Sequence, residues 1–94
     1  MGLFDIHISA DEPVYVISVV SKLIDIPVWT LRALDKAGVV KPKRIGKKSR
    51  LYSLKDIRKL EYVSYLMEDK GINISGIKVI LEISYHLIES FLLK

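Results

Sequence analysis

Residues 18–52 read SVVSKLIDIPVWTLRALDKAGVVKPKRIGKKSRLY, and the fold turns on how this stretch divides. Its opening, residues 18–24, predicts a short helix. Ser18 is the expected N-cap, its hydroxyl accepting from the free N–H groups of the first turn. Val19, Val20, Leu23 and Ile24 recur with the spacing of an inward face. Asp25-Ile26-Pro27 interrupts that pattern, because proline cannot lie inside a continuing helix but suits the first turn of a new one. The second helix is expected from Val28 to Ala37, with Leu31 and Leu34 inward. Gly38 follows where a left-handed residue closes a helix. Two short helices joined by a tight turn form a helix-turn-helix. Residues 39–52 then read as a two-stranded ribbon whose turn falls at Gly46, with Lys47 and Lys48 at the tip. A basic hairpin directly after a helix-turn-helix is a wing.

Working outward, Ser53 and Asp56 predict a capping box that opens a third helix to about Asp69. Its apolar stripe is Leu54, Ile57, Leu60, Val63 and Met67. Lys70-Gly71 closes it. Asn73 is expected to cap a last helix over about 74–93, with Ile72 and Ile77 stapling its entry. That helix is apolar on more than one side. One seam reads Ile77, Leu81, Ser84, Ile88 and Phe91; another reads Ile80, Ile83 and Leu87. A helix apolar all round must be covered all round. A chain of 94 residues supplies cover for one face, so the seam from Ile77 to Phe91 is expected to pair with a second copy. On the N-terminal side, residues 1–13 read as a tail, in which Phe4, Ile6 and Ile8 alternate as in a short strand. The expected division is thus a tail over 1–13, a winged helix-turn-helix over 14–73 and a core and dimerisation helix over 74–94. The fold class is mainly α with a small β-hairpin wing.

Charge follows the same division. Residues 41–59 hold nine Lys and Arg against Asp56 alone, a net +8, whereas the rest of the chain carries −4. A cluster of this kind is the electrostatic footprint of a phosphate-binding surface; a solvated lysine-rich loop is the alternative. Cysteine is absent, which removes disulfides, thiolate metal sites and a cysteine nucleophile. His7 and His86 are the only histidines, and no phosphate-binding glycine loop or nucleophile motif occurs. An enzyme is therefore not expected, nor a cofactor or metal. No targeting segment or membrane span is visible, so a cytoplasmic chain is expected.

The order of short motifs resembles the DNA-binding domain of the MerR family. The matching pieces are Tyr15-Val16-Ile17-Ser18, Thr30-Leu31-Arg32, Gly38-Val39-Val40-Lys41-Pro42, Arg50-Leu51-Tyr52-Ser53, Asp56-Ile57 and Gly71-Ile72-Asn73-Ile74-Ser75-Gly76-Ile77. The first and last of these look most like the heat-shock repressor (HspR-like) branch. The resemblance implies a transcriptional regulator, most simply a repressor, that binds pseudo-palindromic double-stranded DNA as a homodimer. Its second helix would enter the major groove and its wing would lie along the flanking backbone. The branch also implies a chaperone or other protein co-regulator as a partner. Where the family usually has Tyr-Tyr-Glu after Thr-Leu-Arg, this chain has Ala33-Leu34-Asp35. Asp25 stands at a turn position often held by Gly, and Pro27 at a cap often held by Ser.

Carried onto these residues, the expected DNA-facing set is Ser18, Trp29, Thr30, Arg32, Lys36, Lys43, Arg44, Lys47, Lys48, Arg50 and Tyr52. Arg32 is suited to reading guanine or clamping phosphate. Thr30 suits a phosphate or base edge, and Trp29 a sugar or thymine methyl unless it packs inside. Tyr52 has two readings, a hydroxyl donated to phosphate or a core residue. Two other function classes stay open: a protein-interaction module using the apolar last helix, and an excisionase-like factor that bends DNA.

Overall fold

A computed structural model of the protein describes residues 8–47 and 49–92, with side chains as far as Ser90. The elements are β1 (Tyr15–Val16), α1 (Ile17–Ile24), α2 (Val28–Lys36), β2 (Lys43–Ile45), β3 (Ser49–Tyr52), α3 (Leu54–Glu68) and α4 (Ile74–Leu92). Among the described residues four helices accompany a small antiparallel sheet in the order β1-β3-β2, the winged helix-turn-helix expected from residues 18–52. Among the described residues no helix is long and apolar enough to cross a membrane.

The turn residues act as their chemistry requires. Asp25 takes the left-handed conformation (φ 53°, ψ 46°) that ends α1. At the end of α2, Gly38 has φ 78°, its N–H donates to the Asp35 carbonyl and the Val39 N–H reaches the Leu34 carbonyl. This paired arrangement satisfies carbonyls that a helix end leaves free. Gly46 (φ 69°) makes the wing turn. The Ser53–Asp56 capping box is complete: the Ser53 N–H donates to Asp56 Oδ2 (2.9 Å) and the Asp56 N–H to Ser53 Oγ (3.0 Å). Asn73 Oδ1 accepts from the Gly76 N–H at 2.8 Å.

Four local expectations are corrected. Ser18 is not the N-cap of α1. The helix starts one residue earlier, from an extended Val16 with no side-chain cap, because β1 feeds straight into it. That strand carries no signal in the sequence: Tyr15 pairs with Tyr52 and Val16 with Leu51. Two residues are too short to carry a period-2 signal, so only the partner strand defines them. The ribbon is also shorter than residues 39–52, since Val39 and Val40 turn into the core. On α1, Val20 is buried and Ile24 half-buried, but Val19 and Leu23 are exposed. Of the N-terminal alternation, Phe4 and Ile6 lie outside the described residues, and Ile8 is exposed and not in a strand.

The core is built from Val20, Ile26, Leu31, Leu34, Val39, Val40, Tyr52, Ile57, Leu60, Val63, Leu66 and Ile77. Fully burying each aliphatic side chain contributes about 1.5–3 kcal/mol, so this cluster fixes α1, α2, β3 and α3 as one body. α4 joins it through Ile77, with Ile80 and Leu81 packed at the edge. From Glu82 onward most of α4 is exposed, including Ile83, Tyr85, Leu87 and Ile88.

Candidate nucleic-acid interface

α2 divides into two faces. Thr30, Leu31 and Leu34 are buried, while Trp29, Arg32 and Lys36 are exposed. The exposed three stand at i, i+3 and i+7, which places them on one helical stripe. Trp29 is 74% exposed, so its indole is not a packing residue of the core. Thr30 departs from expectation. It is 7% exposed and faces a cleft lined by Ile26, Ser64, Met67 and Glu68. Its position one step from Leu31 and four from Leu34 turns it toward α3, away from the stripe.

The wing divides in the same way. Alternate residues of a strand point to opposite faces, and Arg44 pairs directly with Arg50 across β2 and β3. Arg44, Arg50 and Tyr52 therefore share the face turned to the body. Lys43, Ile45 and Ser49 belong to the other face and are exposed. Lys47 is exposed beside the turn, and Lys48 lies outside the described residues. Ser18 is exposed on the first turn of α1.

Two wing residues have partners that the sequence did not reveal. Arg50 Nε lies 3.2 Å and Arg44 Nη2 3.5 Å from Asp35 Oδ2 at the end of α2. Asp35 is 8% exposed. The expected free phosphate contacts at Arg44 and Arg50 are thus engaged by a carboxylate, and the wing is tied to α2. A signal for Asp35 did exist: it is the only acidic residue between Asp25 and Asp56, amid the basic stretch.

Tyr52 is also corrected as an expected phosphate contact. It is 0% exposed, and its hydroxyl has no hydrogen-bond partner among the described residues. Burial, reinforced by the Asp35 charge, pushes its pKa from 10.0 up to about 12. Tyr52 belongs to the core because β3 is the central strand, flanked by β1 and β2, and packs against α1 and α3.

The expected dimerisation seam is split. Ile77 is completely buried within the chain and is corrected to a core residue. Leu81 and Ser84 are half-buried, and Ile88 is exposed. Phe91 lies in the last turn of α4, with its side chain outside the described residues. A groove runs between α4 and the α2–β2 connection, lined by Val39, Leu81, Tyr85 and Ile88, with Lys59, Lys78 and Glu82 beside it.

Comparison with known proteins places this geometry. Residues 15–83 match the model of the MerR HTH family regulatory proteins. A Streptomyces coelicolor protein bearing the name heat shock protein HspR is 43% identical over 83 residues, covering 88% of this chain and 55% of the relative. The chain therefore spans about half the length of that relative.

Proposed function

The chain belongs to the MerR family of helix-turn-helix regulatory proteins, and on that premise we propose that it binds double-stranded DNA sequence-specifically as a homodimer and represses transcription. The observation that carries this reading is the stripe of Trp29, Arg32 and Lys36 on α2, held beside a basic wing by the Asp35 ion pairs. The major groove, about 12 Å wide, admits one α-helix. In it Arg32 reads guanine, a contact worth about 1–3 kcal/mol of discrimination. Trp29 packs against sugar or a thymine methyl, while Ser18, Lys36, Lys43 and Lys47 bind phosphate. Phosphate contacts set register and affinity without reading sequence. The heat-shock name of the S. coelicolor relative supports placing the target promoters in a heat response.

The exposed apolar residues of distal α4 support the homodimer. Left in water they would forgo about 25 cal/mol for each Å² of apolar surface. The apolar floor of the groove formed by Val39, Leu81, Tyr85 and Ile88 suits a second α4. Two copies present two α2 stripes, which a pseudo-palindromic site matches.

Fluorescence anisotropy against duplex DNA at several salt concentrations tests the proposal. About six phosphates neutralised by a dimer, three lysines from each copy, predict a slope of log K against log salt near −5. A slope near zero refutes DNA binding. Sedimentation tests the second copy: replacing Leu87 and Ile88 with Lys should convert a dimer to a monomer. A wild-type chain that sediments as a monomer refutes the homodimer and favours the apolar helix as a seat for a different protein.

A further inference from the structure

Arg44 and Arg50 are direct cross-strand neighbours on the same face of the wing. Like charges placed so are destabilising, yet both guanidiniums converge on one oxygen, Asp35 Oδ2, at 3.5 and 3.2 Å. That carboxylate is almost fully buried, whereas Arg44 is 64% and Arg50 34% exposed. The acid comes from the last turn of α2, the helix that carries Trp29, Arg32 and Lys36. One buried charge thus joins the helix to the wing, and it occupies two cations of the basic segment.

Resting on the DNA-binding reading above, we propose that Asp35 is a positioning and specificity-determining residue: it fixes the wing against α2 and withholds Arg44 and Arg50 from non-specific phosphate contact. An arginine released to the DNA backbone binds every sequence equally. Keeping both arginines on Asp35 leaves a larger share of the affinity to the α2 stripe, and so raises discrimination. It also holds the wing at one angle, so that Lys43 and Lys47 meet phosphate only when α2 sits in register.

The test compares the wild-type chain with Asp35→Asn, which keeps the shape and removes the charge, and with Asp35→Glu, which keeps the charge. The probes are a 25-base-pair duplex selected by the wild-type chain from a random pool and a scrambled duplex of the same length. With Asp35→Asn, the ratio of selected to scrambled affinity should fall at least tenfold. The salt slope on the scrambled duplex should steepen by about 0.9 per protomer for each arginine released. Asp35→Glu should restore most of the ratio. A folded Asp35→Asn that keeps the wild-type ratio and slope overturns the proposal. So does equal weakening on both duplexes with no change in slope, the mark of a purely structural role. Should Asp35→Asn fail to fold, Arg44→Gln decides. Its slope on the selected duplex should equal that of the wild type, and a shallower slope by about 0.9 per protomer overturns the proposal. Failure of the wild-type chain to select any sequence refutes sequence-specific binding itself and takes this proposal with it. Selection that succeeds while Asp35→Asn behaves as wild type removes this proposal alone.

Discussion

Raising the pH above 10 should destabilise the protein through Tyr52. The side chain is fully buried at the junction of β3 with the core. Its pKa is raised from 10.0 to about 12, by burial first and by the Asp35 charge second, against an opposing pull from Arg50. The folded protein therefore holds the phenolic proton more tightly than the unfolded chain does. The resulting stability is fully present below pH 10 and is lost as pH rises through 10 toward 12. At about 1.36 kcal/mol per pKa unit, the whole effect is at most about 2.7 kcal/mol. That is a large share of the roughly 5–15 kcal/mol available to a domain of ordinary stability. Urea unfolding followed by circular dichroism between pH 8 and pH 12 measures it, with Tyr52→Phe as the control. The two proteins differ in this one hydroxyl, so the difference between them isolates Tyr52. Below pH 10 the difference should be flat; from pH 10 to pH 12 the wild type should lose up to about 2.7 kcal/mol relative to Tyr52→Phe. Parallel curves across that window would refute the assignment of Tyr52 to the core. At neutral pH, Tyr52→Phe should bind DNA as the wild type does; weakened binding at unchanged stability would return the hydroxyl to a phosphate.

Three further outcomes follow from local structure. Asp25→Gly should raise the urea midpoint, because a left-handed backbone costs a non-glycine residue about 1 kcal/mol; a lowered midpoint would show that the Asp25 side chain supports the turn. Ser53→Ala breaks the capping box and should cost about 1 kcal/mol of stability by the same assay, a loss that an unchanged midpoint would contradict. Trp29 is the only tryptophan and is exposed, so its emission should be that of a solvated indole and should change on titration with duplex DNA. Trp29→Ala should weaken DNA binding while leaving the thermal midpoint in place, and a large drop in that midpoint would assign Trp29 to packing instead.

The sequence on its own determined the elements whose signals are local. A proline at Pro27, the left-handed glycines at Gly38 and Gly46, and the Ser53–Asp56 box each act over three or four residues, so their positions fix where helices and the wing turn begin and end. The same local grammar, read in order, carried the family. What required the tertiary structure was anything decided by a partner distant in the chain. β1 exists because Tyr52 and Leu51 of β3 lie beside it, and two residues cannot announce that themselves. Tyr52 reads equally well as surface or interior, because a hydroxyl on an amphipathic element suits either, whereas Thr30 reads as DNA-facing; the packing of α3 beside Thr30 and of α1 and α3 against β3 turned both inward. Ile77 and Ile88 share a seam in the sequence, but the body of the chain ends between them, so one fills the core and the other meets solvent. Asp35 shows the reason most directly. A single acid among many bases has no periodicity, and only the pleat of the wing brings Arg44 and Arg50 to its carboxylate.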